Sequence, residues 1–249
     1  MSKLRIWALA CLLIVVGGAT ALGIRSHRAK ETAEVAWLVR MLNEGKLAHS
    51  DLGADRRPAS TPYSGDLNVF ESPGRENRLQ IDRVMTLLQI APGKSVADIG
   101  AGSGWFTVRA ARRVGPKGTV FAEDINPKAT EYIDQRAKKE KLTNVKAVLG
   151  VPDDAKLPVS SVDAVLLLKV YHEIAQPVAF MQRMRLPLRP GARVGIIDRN
   201  GNGSGTDHGI PQATVERELA EAGYREVAKY DFTKADGEDY FLIFERTDR

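Results

Sequence analysis

A glycine-rich stretch near the middle of the chain constrains the fold most. Residues 96–107 read VADIGAGSGWFT, and apolar residues recur at helical spacing from Phe106 to Val114. The apolar run before the first glycine is typical of a parallel strand covered on both faces. Glycine then permits backbone angles and close approaches that a Cβ would block. The stretch therefore predicts a buried strand, a tight turn and a helix whose first N–H groups can hold a polar ligand.

The spacing of the glycines separates two kinds of nucleotide cofactor. A dinucleotide fingerprint requires G-x-G-x-x-G, whereas Gly100, Gly102 and Gly104 stand at every second position, and Asp98 lies two positions before the first of them. This pattern resembles motif I of the class I S-adenosylmethionine-dependent methyltransferases. The resemblance implies that the turn, together with Asp98, contacts the methionine part of S-adenosylmethionine. The alternative is the glycine-rich turn of some other doubly wound domain.

The rest of the chain alternates strand and helix patterns, which indicates a parallel sheet built from βαβ units. Further strands are predicted at 119–125, 145–149, 162–168 and 192–198, and helices at 77–90, 128–141, 178–186 and 211–222. Two last strands, 224–232 and 239–245, predict an antiparallel hairpin. We therefore expect an α/β fold, a doubly wound, mostly parallel seven-stranded sheet with a C-terminal antiparallel hairpin, as in the methyltransferases. This ending disfavours an NAD-linked oxidoreductase.

The N-terminal residues form a membrane-directed segment. Residues 6–24 are uncharged and apolar and lie between basic residues, and roughly 20 such residues span a bilayer as a helix. Ala19-Thr20-Ala21 also resembles the cleavage site of a signal peptide. We expect a membrane anchor or signal segment (1–28), a juxtamembrane helix and irregular linker (29–76), and the methyltransferase domain (77–249). The expected location is the membrane, through this single span, or export by a signal peptide, and the charges leave the side open.

Composition limits the partners and cofactors. The net charge is only +5 and no basic stripe is interleaved with aromatic residues, so nucleic acid is not an expected partner. Cys11 is the single cysteine, which excludes disulfides within the chain and Cys-based zinc sites. The lack of a cysteine cluster also disfavours arsenic as the acceptor. The spacing of His172, Asp198 and His208 fits no specific ligand pattern, so we expect no metal.

Acidic residues after the second and third strands are the candidates for contacts with the nucleoside. An acidic residue at the end of the second strand can accept hydrogen bonds from both ribose hydroxyls. The resemblance assigns this role to Asp124, with Ile125 flanking the adenine ring. The alternative is that Asp124 and Asn126 only cap the next helix. After the third strand, the resemblance assigns Asp153 or Asp154 to the adenine amino group, although paired Asp residues are also common in turns.

The fourth predicted strand ends in Lys169-Val170-Tyr171-His172-Glu173, where open α/β sheets have their ligand crevice. Lys169 stands where similar methyltransferases often have an acidic residue. We expect it to contact the ligands in the crevice or to pair with Asp98 or Asp198. His172 is the candidate general base, and Glu173 is expected to orient it or to act in its place. In the alternative, both residues begin the next helix and pack at the rim.

Together these patterns predict an S-adenosylmethionine-dependent methyltransferase. It would transfer a methyl group by in-line displacement to an unidentified small-molecule or lipid acceptor. Positioning alone can contribute roughly 7–11 kcal/mol to such a reaction, and a base is needed only if the nucleophile must lose a proton as it attacks. The alternative from another class is a protein that binds S-adenosylmethionine without turnover, as a sensor or partner module. The glycine-rich stretch 201–209 is either a mobile lid or a plain connection.

Overall fold

The computed structural model describes residues 56–63 and 65–247. The apolar run 6–24 and the predicted boundary between residues 28 and 29 lie outside the described residues. Seven strands form one sheet with the order β3-β2-β1-β4-β5-β7-β6. The strands are β1 Ser95–Ile99, β2 Thr119–Asp124, β3 Val145–Leu149, β4 Val162–Leu168, β5 Leu188–Asp198, β6 Tyr224–Tyr230 and β7 Tyr240–Arg246. The α-helices are α1 Arg75–Leu79, α2 Ile81–Leu87, α3 Trp105–Val114, α4 Pro127–Lys139, α5 Pro177–Met184 and α6 Gln212–Glu221.

The pairing of the strands confirms the predicted mostly parallel sheet with a C-terminal hairpin. Strands β1 to β5 pair in parallel, whereas β7 is antiparallel to both β5 and β6. Strand β1 lies between β2 and β4, so the chain winds outward from β1 in two directions. A crevice opens where the winding changes direction, beyond the carboxyl ends of these strands. The fold therefore gathers the segments that follow β1, β2, β4 and β5 at one edge.

The sheet is covered on both faces, as the predicted double winding requires. Alternate side chains of a strand point to opposite faces. On one face, Ile99 and Leu167 pack with Phe180 of α5 and Val215 of α6. On the other face, the packed residues come from β1, β4, α2 and α3, and include Val96, Leu166, Val84 and Phe106. Each such side chain contributes about 1.5–3 kcal/mol when fully buried, so the two layers hold the strand ends in place.

The prediction of one continuous helix over residues 77–90 is wrong, because the structure contains two short helices there. Helix α1 ends at Leu79, the next residue Gln80 has a left-handed backbone with φ 51°, and α2 begins at Ile81. Leu79 and Ile81 are both buried, with exposed fractions of 0% and 3%. In one continuous helix these two side chains would point to opposite faces at 3.6 residues per turn. The break turns both toward the core.

The other predicted boundaries agree closely with the structure. Strands β3 and β4 begin and end at the predicted residues, while β5 begins at Leu188 rather than at residue 192. The predicted strand 224–232 ends at Tyr230, and a short 3₁₀ helix, Phe232–Asp236, follows it inside the hairpin. Among the residues that the structure describes, no helix is both long and apolar enough to cross a bilayer.

Candidate active site

The predicted glycine turn connects β1 to α3 at the edge of the crevice. Gly100, Gly102 and Gly104 have φ values of 64°, 54° and 73°, a left-handed region that residues with a Cβ rarely adopt. At position 100 an added Cβ would also collide with Val170. Gly104 is the residue before the first turn of α3 and has no side-chain cap. The first turn of α3 is therefore not capped by Gly104, and its Thr107 N–H is directed to Asp98.

Asp124 lies at the end of β2 and contacts this turn directly. Its Oδ2 accepts a hydrogen bond from the Gly102 N–H at 2.9 Å, and its Oδ1 accepts one from the Asn126 N–H at 2.9 Å. Burial raises the pKa of the Asp124 carboxyl, and the hydrogen bonds from Asn126 and Gly102 oppose that rise. Ile125 follows with 37% of its surface exposed. Asn126 caps α4 and Pro127 is its first residue, so the predicted capping is present beside the ribose candidate.

Asp98 is almost completely buried beneath the turn, with 2% of its surface exposed. Thr107 Oγ1 of α3 donates a hydrogen bond to its Oδ2 at 2.5 Å. Burial raises the pKa of Asp98 to about 7. The side chain still lines the cavity that the turn borders. It is therefore placed where a positively charged group of a ligand would stabilise its ionised form.

Asp153 and Asp154 form ion pairs with neighbouring cations, and neither residue lines the cavity. The carboxylate of Asp153 forms an ion pair with Arg183, and that of Asp154 pairs with Lys156 at 2.8 Å. The residues of this turn that line the cavity are Val151 and Pro152. The assignment of either aspartate to the adenine amino group therefore stays a prediction.

Lys169 lines the cavity, but its predicted ion-pair partners are wrong. Its Nζ lies 2.5 Å from Oε1 of Glu238, whose side chain is fully buried, rather than beside Asp98 or Asp198. Burial raises the pKa of Glu238, while the charge of Lys169 opposes that rise. Glu238 lies just before β7, which pairs with β5. The return of this last strand to the sheet brings the carboxylate to the lysine.

Asp198 holds His172, so the prediction that Glu173 orients the ring is wrong. Both oxygens of Asp198 lie 2.9 Å from His172 Nδ1, and Oδ2 accepts the His172 backbone N–H at 3.2 Å. The two side chains have exposed fractions of only 5% and 1%. Since a carboxylate accepts hydrogen bonds, Nδ1 carries the proton in this pair. The Nε2 atom is then the ring nitrogen left to act on a ligand.

Glu173 and His208 lie on the open side of the imidazole. Glu173 Oε1 is 3.9 Å from His172 Nε2, and the ring of His208 meets that of His172 edge-on with centroids 5.9 Å apart. Burial raises the pKa of Glu173 to about 7. His172 and Glu173 belong to a short 3₁₀ helix, Tyr171–Glu173, which precedes α5 by three residues. The alternative expectation that they begin the next helix is therefore wrong, whereas both residues do line the crevice.

A segment before α1 packs over this crevice. We name residues 56–63 and 65–71 the cover segment. Arg57 donates from Nη2 to the Tyr171 carbonyl oxygen at 2.8 Å and pairs with Glu218 at 3.2 Å. At the other end, Glu71 accepts a hydrogen bond from Ser103 Oγ at 2.6 Å and one from Arg136 at 2.5 Å. The segment lies within the predicted linker 29–76, and its described part is bound to the domain at both ends.

A cavity of about 910 Å³ connects these groups. It extends from the glycine turn, past Asp124 and Ile125, to His172 and Glu173. The cover segment contributes an apolar wall consisting of Pro62, Tyr63, Leu67, Val69 and Phe70. Small-molecule sites are typically about 300–1,000 Å³, so this volume suits a cofactor with a second ligand beside it.

Comparison with known proteins agrees with this arrangement. The family model described as "Methyltransferase domain" matches residues 90–238, which is more than half of the chain. The chain belongs to the class I S-adenosylmethionine-dependent methyltransferases. Its cofactor is therefore S-adenosylmethionine, as the glycine spacing predicted.

Individual relatives of this methyltransferase act on chemically different acceptors. An arsenite methyltransferase of Halobacterium salinarum is 33% identical over 138 residues, which are 55% of this chain and 35% of that protein. A tRNA (adenine(58)-N(1))-methyltransferase of Thermus thermophilus is 31% identical over 108 residues, 43% of this chain and 40% of that protein. This chain thus spans less than half the length of these curated relatives.

Solved structures show the same fold. A SAM-dependent methyltransferase from Aquifex aeolicus superposes with a TM-score of 0.65 at 22% identity, covering 73% of this chain and 98% of the other. At this identity the likeness concerns the fold alone. The acceptor must be argued from the residues of this methyltransferase itself.

Several side chains at the site of this methyltransferase were not predicted from the sequence. Glu123 lines the cavity with an exposed fraction of 2%, and burial raises the pKa of its carboxyl to about 8. An acidic residue inside an otherwise apolar strand was the available signal. No comparable sequence pattern indicated that Arg57 and the apolar wall of the cover segment would contact the site. The pairing of His172 with Asp198 depends on two segments that the sheet alone brings together.

Proposed function

We propose that this protein transfers the methyl group of S-adenosylmethionine to a small-molecule or lipid acceptor held in the same cavity. The observation that supports this most is the continuity of the cavity, which joins the glycine turn to His172 and Glu173 beneath the cover segment. One end carries the groups expected to hold a nucleoside and an amino acid. The other end combines an apolar wall with polar side chains, as an acceptor site requires.

The cofactor would lie along the edge formed by the ends of β1 and β2. The turn and Asp98 would hold its methionine part, Asp124 the ribose hydroxyls, and Ile125 the adenine ring. The carboxyls of Asp98, Glu123 and Asp124 surround this end, and the sulfonium and ammonium charges of the cofactor would favour their ionised forms. Lys169 would meet the cofactor carboxylate or an acidic acceptor.

The acceptor would enter beside the cover segment and present its nucleophilic atom to the methyl carbon. In the transfer, that atom forms a bond to carbon as the carbon–sulfur bond breaks, and S-adenosylhomocysteine leaves with the electron pair of that bond. The proton of an acceptor O–H or N–H group passes to His172 Nε2, or to Glu173 in its place, as the new bond forms. We propose that His172 and Glu173 hold this polar group, and that the apolar wall holds the rest of the acceptor. The sulfonium is already a good leaving group, so orientation of the acceptor contributes most of the remaining lowering of the activation barrier.

The cavity and the composition support an apolar small-molecule or lipid acceptor. The wall formed by Tyr63, Val69 and Phe70 suits an apolar ring or chain. A membrane segment at 6–24 would place the domain next to lipid or quinone-like molecules, and we propose membrane association for that reason. The net charge of +5 without a basic stripe does not favour nucleic acid, and the single cysteine does not favour arsenic.

Calorimetric titration of the full 249-residue chain tests the cofactor. S-adenosylmethionine and S-adenosylhomocysteine should bind with micromolar affinity, whereas NADH should not bind. Transfer of a labelled methyl group to a panel of phenols, quinols and lipids would then identify the acceptor. Binding of NADH alone would overturn the proposal, and cofactor binding without transfer to any member of a broad panel would favour the sensor interpretation.

A further inference from the structure

Three side chains with metal-binding atoms converge at the acceptor end of the cavity. Ligand atoms of His172, Glu173 and His208 all lie within 4.8 Å of one another. The first two follow β4 and the third lies in the loop after β5, and these strands are neighbours in the sheet. All three residues line the same cavity. The sheet therefore assembles a set of ligands whose sequence spacing gave no indication of a metal.

The buried aspartate behind His172 prepares one of these ligands. Asp198 holds His172 Nδ1 from the side away from the cavity at 2.9 Å, so the Nε2 lone pair points outward. Histidines that bind metals almost always donate their other ring N–H to a carboxylate, a carbonyl or water. Such a partner fixes the tautomer and orients the ring. The arrangement is thus that of a ligand held ready for a cation.

The three ligand atoms have no other use within the part of the chain that the structure describes. No hydrogen bond is formed by the His172 Nε2 atom, the Glu173 carboxyl or the His208 ring in the described ranges. The 3.9 Å between His172 Nε2 and Glu173 Oε1 is too long for a hydrogen bond. This distance is within the reach of one ion, because Zn²⁺ lies about 2.0–2.2 Å from imidazole nitrogen and carboxylate oxygen. A bound tetrahedral ion would draw the two atoms closer together.

We propose that His172, Glu173 and His208 bind a divalent transition-metal ion of the Zn²⁺ type. Two imidazoles and one carboxylate are ligands that this class of ion prefers. Three protein ligands leave a coordination position open, as in zinc sites that act on substrates. The open position faces the cavity and would take an oxygen of the acceptor. With the ion bound, His172 Nε2 would hold the ion instead of the acceptor's proton, and the charge of the ion would favour release of that proton to water. This role in acceptor choice rests on the proposed function, whereas the binding of the ion does not.

The test is a titration of the full chain, produced without a histidine tag and freed of metal with a chelator. Zn²⁺ binding is measured by calorimetry, and the absorption bands of bound Co²⁺ report nitrogen and oxygen ligation. The variants are His208→Ala and Glu173→Gln, which change partly exposed side chains. His49→Ala is the matched control, because His27 and His49 are the other histidines of the chain.

We expect one equivalent of Zn²⁺ in the wild type and in His49→Ala. Each site variant should lose at least about tenfold in affinity and the Co²⁺ bands should change, as is typical when a metal site loses a ligand or its support. The proposal is overturned if no stoichiometric ion binds, if both site variants bind as the wild type does, or if His49→Ala abolishes binding. S-adenosylmethionine titration of the same samples separates this result from the proposed function, since cofactor binding does not require the ion.

Discussion

At the residue scale, Asp124 holds the glycine turn and is also the residue that we propose binds the cofactor ribose. Its two oxygens each accept one backbone N–H, from Gly102 and Asn126, and a carboxylate oxygen has a further lone pair for a ligand hydroxyl. The same side chain can therefore hold the glycine turn and the cofactor ribose. This is why capping and cofactor binding are compatible interpretations of one residue.

We expect Asp124→Ala to weaken S-adenosylmethionine binding by at least about tenfold, because hydrogen bonds to a charged group are worth about 1.5–3 kcal/mol each. Calorimetric titration measures the effect, and circular dichroism checks the fold. Asp134→Ala, on the exposed side of α4, is the control and should bind as the wild type does. Unchanged affinity in Asp124→Ala would remove the ribose assignment.

His172→Ala should lower turnover far more than cofactor affinity, since the imidazole faces the acceptor end of the cavity. Removing a group that acts on the acceptor's proton costs about 100-fold or more. Single-turnover transfer and a cofactor titration on the same preparation separate the two effects. Equal turnover in the variant would assign His172 to packing at the rim.

Glu123 makes stability depend on pH. Burial raises the pKa of its carboxyl from 4.5 to about 8, so between these values the folded chain keeps a proton that the unfolded chain releases. The free energy of unfolding of the wild type therefore falls as pH rises through this window. Glu123→Gln removes that loss, and one unit of pKa shift corresponds to about 1.4 kcal/mol.

The comparison is made by urea unfolding at pH 5 and pH 8.5 in the absence of cofactor. The glutamine variant should gain stability relative to the wild type at the higher pH, by on the order of a few kcal/mol. The two proteins should differ least at pH 5. A constant difference at both pH values would show that the carboxyl does not titrate in this window.

At the element scale, the cover segment decides the shape of the acceptor end. Arg57 donates to the carbonyl oxygens of Tyr171 and His172 at 2.8 and 3.3 Å, so the segment contacts the 3₁₀ helix that presents the candidate catalytic side chain. Glu71 holds its other end against α4 through Arg136. The contacts at the two ends of the cover segment therefore influence the position of His172 and the position of the apolar wall.

Arg57→Met should release this end of the segment while keeping much of the side-chain volume. Loss of hydrogen bonds and of the ion pair to a buried Glu218 should lower the free energy of unfolding by about 1–3 kcal/mol. The KM for the acceptor should rise more than that for the cofactor. Arg217→Met, on an exposed position of α6, is the control. Equal KM values in the two variants would contradict a role for the segment in acceptor binding.

Sequence patterns predicted the helices and strands but did not predict the break between α1 and α2. The run 77–90 looked like one amphipathic helix because its apolar residues recur at nearly helical spacing. The left-handed Gln80 breaks it, and two arginines of α1 bind the same partner, Asp236, at 3.2 and 3.1 Å. Ion pairs between segments so far apart in the chain leave no local pattern. The domain boundary predicted at residue 77 stays a prediction, although the described cover segment before it contacts the domain.

At the scale of the whole molecule, we propose that the N-terminal apolar run, residues 6–24, determines where the reaction takes place. We expect the full chain to sediment with membranes and to resist extraction by carbonate, because roughly 20 apolar residues suffice to span a bilayer. Leu13→Arg, within 6–24, should release it, since a charge at the centre of a span costs about 2.5–3.5 kcal/mol.

Mass spectrometry of the N-terminus separates an anchor from a signal peptide. An intact N-terminus in the membrane fraction supports the anchor, and a start after residue 21 supports cleavage. A soluble protein with an intact N-terminus would contradict both.

The sequence by itself determined the fold class and the cofactor, and it predicted the segments that line the cavity. These follow from local features, namely glycines at every second position, apolar runs of strand length, and polar residues directly after strands. Such features act between near neighbours in the chain. Because parallel strands end at one edge, the position of those segments followed as well.

Only the tertiary structure decided which side chains pair there. Asp198 meets His172 because β4 and β5 are neighbours, Glu238 meets Lys169 because β7 returns beside β5, and Arg57 reaches a 3₁₀ helix 115 residues away. A buried polar group must find a partner wherever the packing places one. That choice depends on strand order and layer packing, and a linear pattern does not contain it.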